Sequence, residues 1–316
     1  MMRGQVLNLL RQNQEVSGED IAQELGISRA AIAKHITALR ELGYQIDATT
    51  GRGYRFISAP DILSAEEISY YLKPNSPWQI HYYSEVDSTN IQIRKLSEAD
   101  APGFSVAIAE MQTAGQGRLN RTWHSTPGQS LFLSYLLRPD LPPQLAQVIT
   151  LTSACAVVAA LARFGFNCKI KWPNDVLGSD NRKLCGIKSE MRADMDKVEW
   201  LLCGIGININ ISSFPPPLDQ TATSLQLLGS SPLKRAPIAA ALLEEIERLY
   251  GVLCNEGFAP IREIWLQHAV SLGQTVRVSN SQEEYQAIAR DLDADGYLII
   301  ERDGKLETLR GGDIWL

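Results

Sequence analysis

The chain has 316 residues, of which 45% are hydrophobic, and it carries 30 Lys and Arg against 36 Asp and Glu, a net charge of −6. This length predicts two or three domains, and the hydrophobic content excludes a disordered chain. Residues 1–60 hold seven basic and six acidic side chains, a charge of +1, which leaves −7 for the rest. A mildly basic N-terminal region on an acidic body indicates a nucleic-acid partner for that region alone.

The five cysteines show neither a C-x-x-C pair nor a histidine at ligand spacing. We therefore expect free, mostly buried thiols in a reducing compartment. The N-terminus lacks the apolar region of a signal peptide, and the most apolar stretch, residues 148–166, is interrupted by Thr, Ser and Arg. These features predict a soluble, cytoplasmic protein with no membrane partner.

Short helical patterns open the chain. A capping box at residues 17–20 starts a second helix, Gly26 supplies a turn, and Ser28 is a favourable N-cap for a third helix that runs to Leu42. Apolar side chains recur at helical spacing along the third helix, which leaves a polar and basic outer face. This pattern is typical of a helix-turn-helix.

Two short strands, 44–46 and 54–57, follow around a glycine-rich turn and complete a winged helix-turn-helix. Residues 28–55 hold five basic against two acidic side chains, which favours DNA binding over a winged fold used only for packing or dimerisation. The predicted DNA-binding segment runs from Gly18 to Thr37 and includes Ser28, Arg29, Lys34, His35 and Thr37, with Arg52 and Arg55 on the wing.

Alternating helical and strand patterns fill the middle of the chain and predict a large α/β region. Helices are expected at 64–72, at 144–163, at 237–255, at 259–267 and from Asp87-Ser-Thr-Asn90 through Leu96, and strands at 80–83, 104–109, 131–137, 168–172, 184–191 and 197–210. Ser88 and Thr89 are expected to cap their helix, with ligand contact as an added possibility. From residue 271 short strands separated by Asp-Gly turns predict a small β-barrel or sandwich.

A long loop, Glu110–His124, joins two of these predicted strands. Gly115 and Gly117 let backbone N–H groups approach a ligand closely, and Arg118 and Arg121 offer donors for phosphate or carboxylate. A tryptophan beside an arginine pair suits a planar ring. The alternative for this stretch alone is a solvated surface loop.

Further candidates lie on the later strands, and no Ser-His-Asp or Cys-His set accompanies them. Lys171, Asn174, Asp175 and Lys183 indicate phosphoryl or nucleotidyl transfer, in which catalysis is mainly positioning and charge neutralisation. Asp175 is the best oxygen donor for Mg²⁺. On spacing alone, Asp175 could equally be a turn residue after Pro173. Glycines 204 and 206 allow close approach of a flat ligand, and a strand bulge is the alternative.

Six motifs in order carry a resemblance that covers essentially the whole chain. They are Ser28–His35, Asp87–Asn90, Gly115–Arg118 with Trp123, Lys171–Asp175, Arg182–Gly186 and Gly204–Asn208. In these motifs the chain resembles the bifunctional biotin protein ligases that also repress the biotin operon. The resemblance implies an α+β multidomain protein: a winged helix-turn-helix (1–60), a mixed α/β ligase core of the biotin/lipoate ligase, class II synthetase-like type (61–269), and a small SH3-like β-barrel (270–316).

The resemblance also implies the reaction and its partners. Biotin and ATP, with Mg²⁺, would form biotinyl-5′-AMP, and a lysine of the biotin carboxyl carrier protein of acetyl-CoA carboxylase would take the biotin. The adenylate-bound form would be a homodimer on operator DNA. Because both reactants of the first step are anionic, Lys183 and Arg118 would be the catalytic cations that screen their repulsion.

The remaining roles are carried over by motif. Biotin would contact Ser88, Thr89, Asn90, Gln112, Gly115, Gln116, Gly117, Arg118, Lys183, Gly186, Gly204 and Gly206. ATP and the adenylate would contact Arg118, Arg121, Trp123, Lys171, Asn174, Asp175 and Asn208, with Asp175 as the metal ligand.

Two residues depart from the family loop, which often reads Gly-Arg-Gly-Arg-x-Gly-Arg: Gln116 replaces the first arginine and Asn120 the second-block glycine. If the charge at residue 116 matters, the loop holds the adenylate less tightly. Three alternatives stay open at this point. They are a lipoate or octanoate ligase, a ligand-sensing transcription factor without ligase activity, and a ligase whose winged helix no longer binds DNA.

Overall fold

The computed structural model describes residues 2–49, 51–118, 121–140, 142–143, 146–194, 197–280 and 283–315. It contains an N-terminal helical head with a two-stranded wing, a seven-stranded central sheet and a five-stranded C-terminal sheet. The predicted α+β fold class is confirmed.

The head forms as its capping residues predict. Ser17 accepts a hydrogen bond from the Asp20 N–H at 3.0 Å and Ser28 one from the Ala31 N–H at 3.2 Å, while Gly26 ends the second helix at φ 65°. Its core of Val, Leu, Ile and Tyr side chains is separate from the rest of the protein. The elements are α1 Met2–Gln12, α2 Gly18–Leu25, α3 Arg29–Glu41, β1 Gln45–Thr49 and β2 Gly53–Ser58.

A buried ion pair joins the head to the central domain. Arg11 of α1 contacts Glu67 of α4 (Ala65–Tyr71) at 2.6 Å, and both side chains are almost completely buried. The Tyr44 hydroxyl donates to the same carboxylate at 2.7 Å. Because removing one partner would leave the other charge buried and unpaired, these contacts fix the head on the body.

The central sheet has the strand order β3-β4-β5-β9-β8-β7-β6, and only the β3–β4 pair is parallel. Strands β4 and β5 are buried on both faces, which explains their continuous apolar sequences. The elements are β3 Gln79–Tyr83, α5 Thr89–Glu98, β4 Ser105–Ala109, β5 Ser130–Leu137, α6 Ala146–Ala162, β6 Lys169–Lys171, β7 Asp175–Leu177, β8 Lys183–Ala193 and β9 Val198–Asn208.

The C-terminal sheet is antiparallel, with the order β13-β12-β11-β10-β14, and its apolar side chains join the same core as the central domain. Trp172, which is 2% exposed, donates its indole N–H to the Gly296 carbonyl at 3.3 Å across this junction. The elements are α7 Leu218–Thr221, α8 Arg235–Glu256, α9 Ala259–His268, β10 Thr275–Ser279, β11 Glu284–Leu292, β12 Leu298–Arg302, β13 Lys305–Leu309 and β14 Asp313–Trp315.

Several predicted details need correction. Ser88 occupies the predicted N-cap position of α5, but its hydroxyl makes no cap hydrogen bond. Thr89 is the first residue of the helix and not its cap, and its hydroxyl donates to Gln112 Oε1 at 3.0 Å. The elements α7, β7 and β14 were not predicted. The predicted starting point of the long helix, Gln144, and the variant loop residue Asn120 lie outside the described residues.

The state of the cysteines and the apolar character of the helices were also predicted from the sequence. All five cysteines are free, four of them buried and Cys254 exposed, as expected. Within the described ranges, every helix is too short or too polar to span a bilayer.

Candidate functional site

A cavity of about 640 Å³ lies between the Glu110–His124 loop, strands β8 and β9, and the last strand β14. It collects the biotin and ATP residues predicted from sequence, with one exception. The predicted residues that line it are Ser88, Thr89, Asn90, Gln112, Gln116, Gly117, Arg118, Arg121, Trp123, Lys171, Asn174, Asp175, Lys183, Gly186, Gly204, Gly206 and Asn208. Gly115 lies behind this surface, where its carbonyl accepts the Trp123 N–H at 2.9 Å.

The floor of the cavity is a hydrogen-bonded polar network. Asn90 Oδ1 accepts from the Ser134 hydroxyl at 2.5 Å, and Asn90 Nδ2 donates to Glu190 at 3.1 Å. The Thr89 N–H and hydroxyl donate to Gln112 Oε1 at 2.7 and 3.0 Å. These bonds hold Asn90, Thr89 and Gln112 in fixed orientations, as ligand recognition requires.

Glu190 stabilises this floor as an ionised carboxylate. Burial raises the pKa of Glu190, but hydrogen bonds from Asn90 and Arg94 outweigh burial, and the pKa lies below its ordinary value. Arg94 and Lys188 also form ion pairs with this carboxylate. The floor therefore keeps its charge pattern at neutral pH.

Three glycines of β8 and β9 form a flat wall, and the Trp123 ring lies against it. A Cβ added to Gly186 would lie 2.6 Å from Trp123, and one added to Gly206 would lie 2.9 Å away. A Cβ added to Gly204 would overlap Asn90 Oδ1. A side chain at these positions would clash with Trp123 or Asn90, so the glycines are needed for this close packing and not for an unusual φ.

Lysines 171 and 183 lie near Asp175 in the cavity lining. Lys183 Nζ contacts Asp175 Oδ1 at 2.6 Å and lies 5.4 Å from the centroid of the Trp123 ring. Burial lowers the pKa of Lys171, although Asp175 partly opposes this change. An anionic ligand that binds Lys183 would break its ion pair with Asp175 and leave that carboxylate free to bind a cation.

Arginines 118 and 121 both contact Asp313 of β14. The distances are 3.1 Å from Arg118 Nη1 to Oδ1 and 3.0 Å from Arg121 Nη2 to Oδ2. Arg118 also donates to Asn174 Oδ1 at 3.2 Å. A phosphate that binds these guanidinium groups must therefore compete with a carboxylate of the C-terminal sheet.

Asp175 supplies the carboxylate that this site offers to Mg²⁺. Among the residues the structure describes, no group of three His, Cys, Asp or Glu side chains is placed to hold a metal. Asn174 uses its Oδ1 for Arg118 and its Nδ2 for the Ile187 carbonyl. Asp175 remains as a single carboxylate, which suits Mg²⁺ that is held mainly by substrate phosphates and water.

Two segments of the cavity wall were not predicted from the sequence. Strand β14 contributes Asp313, Ile314 and Trp315, and the α7 region contributes residues between 214 and 222. Both segments are short and arrive through long-range packing, since β14 is held by pairing with β10. The Gly-Gly before Asp313 indicated only a turn.

The head presents its predicted DNA-binding residues on the surface. Lys34, Thr37 and Arg52 are exposed and His35 is half-buried. The Arg29 side chain is 72% exposed and 3.7 Å from Glu19, and Arg55 pairs with Asp47 at 2.9 Å. Ser28 is the N-cap of α3, which explains its presence without a DNA contact. These roles in DNA binding stay predictions.

Three family models match consecutive parts of the chain. The "Biotin/lipoate A/B protein ligase family" matches residues 83–208, an "HTH domain" residues 3–55, and the "Biotin protein ligase C terminal domain" residues 271–316. Together with the site, these matches define the class as that of the biotin and lipoate protein ligases.

Relatives and solved structures narrow the class. The chain is 37% identical to the "Bifunctional ligase/repressor BirA" of Bacillus spizizenii over 95% of this chain and 94% of that protein, and 32% identical to that of Escherichia coli over 98% and 96%. The biotin protein ligase of Aquifex aeolicus, in complex with biotin and ATP, superposes with a TM-score of 0.64 at 25% identity over 75% of this chain and 97% of that chain. The chain belongs to the family of bifunctional ligase/repressors.

Proposed function

We propose that this protein attaches biotin to a lysine of the biotin carboxyl carrier protein with ATP, and that it represses transcription of biotin biosynthesis genes. One observation carries the ligase activity: residues from five separate motifs line one cavity, with cationic side chains around a wall of glycines. Once Trp123 moves off it, the glycine wall suits a flat, bicyclic ring, and the cations suit a carboxylate and a triphosphate. The Aquifex aeolicus ligase bound to biotin and ATP supports this assignment.

In the first step the biotin carboxylate attacks the α-phosphorus of ATP. The new C–O–P bond gives biotinyl-5′-AMP, and the bond to the β-phosphate oxygen breaks to release pyrophosphate. Lys183 and Arg118 screen the two anions with their cationic side chains. Asp175 would hold Mg²⁺, which supplies further neutralisation of the phosphates.

In the second step the acceptor lysine, as a neutral amine, attacks the biotinyl carbonyl. An amide forms, AMP leaves, and the amine proton is released to solvent. The mixed anhydride is hydrolysable, so the Glu110–His124 loop must exclude water while biotinyl-5′-AMP is bound and the acceptor has not yet arrived. Trp123 would cover the adenylate in this role.

The same proposal names the acceptor protein and gives each domain a role. Relatives named "Biotin--[acetyl-CoA-carboxylase] ligase" support the carrier protein of acetyl-CoA carboxylase as the acceptor. We assign operator binding to residues 1–60, catalysis to 61–269 and a wall of the site to 270–316. The protein would work in the cytoplasm, where acceptor and operator are both accessible.

A homodimer would allow two heads to bind a palindromic operator. Strand β7 covers only Lys183–Gly186 of β8, and beyond Ile187 the outer edge of β8 faces no strand within the described part of the chain. Met191 on this edge is 44% exposed. Antiparallel pairing of two such edges would form a dimer. Sedimentation with and without biotinyl-5′-AMP would test it, and a monomer under both conditions would contradict the proposal.

Pyrophosphate release from ATP and Mg²⁺, with biotin, lipoate or octanoate offered separately, tests the ligase assignment. We expect release with biotin and not with the two other acids. Release with lipoate or octanoate instead would assign the core to another ligase, and release with none would make it a sensor. Gel-shift titration of biotin-operon DNA with the Lys34→Ala variant as comparison would test repression.

A further inference from the structure

A charged side chain, Glu190 of β8, lies behind the cavity floor and contacts helix α5. It is 23% exposed and does not itself line the cavity. Its carboxylate accepts a hydrogen bond from Asn90 Nδ2 at 3.1 Å and forms ion pairs with Arg94 of α5 and Lys188 of β8. The reaction as proposed above does not use this carboxylate.

The sequence spacing brings the partners of Glu190 together. Asn90 and Arg94 are four residues apart on α5, so their side chains lie on the same side of the helix, one turn apart. Glu190 is four residues beyond Gly186 on β8, and alternate residues of a strand share a face. Glu190 therefore lies on the face of the sheet that carries the glycine wall, where its carboxylate bridges α5 and β8.

An ionised Glu190 determines which end of the Asn90 amide faces it. A carboxylate only accepts hydrogen bonds, and an amide donates them only through its nitrogen, so Nδ2 must point to Glu190. Burial raises the pKa of Glu190, but the hydrogen bonds from Asn90 and Arg94 lower it by more. The carboxylate is therefore charged at neutral pH, and the orientation of the Asn90 amide is fixed.

The other end of the same amide, Asn90 Oδ1, lies against the glycine wall. A Cβ added to Gly204 would lie 2.0 Å from this oxygen. The Ser134 hydroxyl donates to it at 2.5 Å and is its one donor within the part of the chain that the structure describes. An amide oxygen has two lone pairs, so it can accept a second hydrogen bond. The floor thus presents an acceptor to a ring that lies on the wall.

We propose that Glu190 is a positioning residue that determines specificity, because it holds the Asn90 amide so that the cavity floor accepts a ring N–H. The inference rests on the proposed function and adds the reason for choosing a cyclic urea over lipoate or octanoate, which carry no N–H. A site built to bind a polar group by hydrogen bonds discriminates strongly against an analogue without that group, since its own polar atoms are then left unpaired.

The test compares Glu190→Gln with the wild type in the full-length protein. Glutamine has nearly the same shape, but its amide donates as well as accepts, so either end of the Asn90 amide can face it. Glu199→Gln is the matched control, because Glu199 lies on the neighbouring strand β9 and pairs with Arg192 at 2.8 Å on the surface. The assay is pyrophosphate release from ATP and Mg²⁺ with biotin or with either of two analogues that carry one methyl group on a ureido nitrogen.

We expect the KM for biotin to rise about tenfold in Glu190→Gln, because the Asn90 amide then turns a donor toward the ring in part of the molecules. The kcat and the KM for ATP should stay within about twofold, as for loss of uniform binding. The wild type should disfavour at least one methylated analogue, and this preference should shrink in Glu190→Gln. A purely structural role would change kcat and the KM for ATP and leave the preference unaltered. Glu199→Gln should match the wild type throughout.

Arg94→Met is a second variant that keeps the inference testable if Glu190→Gln does not fold. Arg94 is 40% exposed, and its removal leaves Glu190 with Lys188 as its cation at 3.4 Å. The carboxylate is then held less firmly, so the KM for biotin and the preference between biotin and its analogues should change in the same direction as in Glu190→Gln.

The possible failures are distinguishable. A biotin KM and an analogue preference at wild-type values in Glu190→Gln would overturn the inference, and so would equal changes in Glu199→Gln. If Glu190→Gln does not fold, wild-type selectivity in Arg94→Met would overturn it. A wild type that releases no pyrophosphate with biotin removes the proposed function and the inference together. A wild type that uses biotin, with unaltered selectivity in both variants, removes the inference alone.

Discussion

Gly204→Ala perturbs the floor of the site in a way that the structure quantifies. The new methyl group overlaps Asn90 Oδ1, which is held by Ser134, while Asn90 Nδ2 is held by Glu190. The amide must move and lose both bonds, at about 0.5–1.5 kcal/mol for the neutral bond and about 1.5–3 kcal/mol for the charged one. We expect a loss of roughly 2–4 kcal/mol in the free energy of unfolding.

This loss lowers the midpoint of thermal unfolding by about 2–4 °C per kcal/mol in a domain of this size. We propose that Asn90 makes one hydrogen bond to biotin; loss of a bond of ~1.4 kcal/mol would lower biotin affinity by about tenfold. Circular dichroism melts and titration calorimetry measure the two effects. Gly251→Ala is the control, because an added Cβ on that helical glycine has open space within 4 Å and should be neutral or stabilising.

A double variant separates the clash from a general weakening. If the clash with Asn90 is the cause, Gly204→Ala should cost nothing further in an Asn90→Ala background, because the obstructing amide is absent. Full additivity of the two losses in the melting experiment would refute the reasoning. So would a Gly204→Ala variant that melts and binds biotin as Gly251→Ala does.

Three further predictions concern the cations of the site. Gln116→Arg adds a charge at an exposed position beside the cavity and should slow adenylate release; an unchanged rate in stopped-flow would contradict this. Arg118→Gly removes the contacts to Asn174 and Asp313 and should sharply weaken retention, so that gel filtration of the trapped intermediate recovers little adenylate. Since burial lowers the pKa of Lys171, its charge is present at neutral pH and is lost at lower alkaline pH than for an exposed lysine. The KM for ATP should therefore rise with alkaline pH, and Lys171→Arg should remove this rise; a parallel rise in both proteins would argue against Lys171 as the titrating group.

Much of the fold was predictable because its determinants are local. Ser17, Ser28 and Gly26 cap helices through residues within four positions, and the apolar strands β4 and β5 show their burial in composition alone. Thr89 shows the limit of local patterns, because its hydroxyl donates to Gln112, which lies 23 residues further along the chain.

The cavity residues were predictable where a motif lies on one loop or strand. They were not predictable where the cavity wall comes from a part of the chain that is distant in sequence from these motifs. Strands β7 and β14 have three residues each, too few for a recognisable alternation. Strand β14 exists because β10 pairs with it, and its Asp313 faces Arg118 only through packing of two sheets. Neither fact has a counterpart in local sequence.

The contact between Arg118 and β14 has a consequence for the order of folding. The Arg118 guanidinium donates to the Gly312 carbonyl across a sequence separation of 194 residues, whereas the head core closes within residues 2–58. Contacts of long sequence separation form slowly, since their loop-closure entropy must be overcome first. The winged head of a newly made chain should therefore fold well before its ligase site is complete.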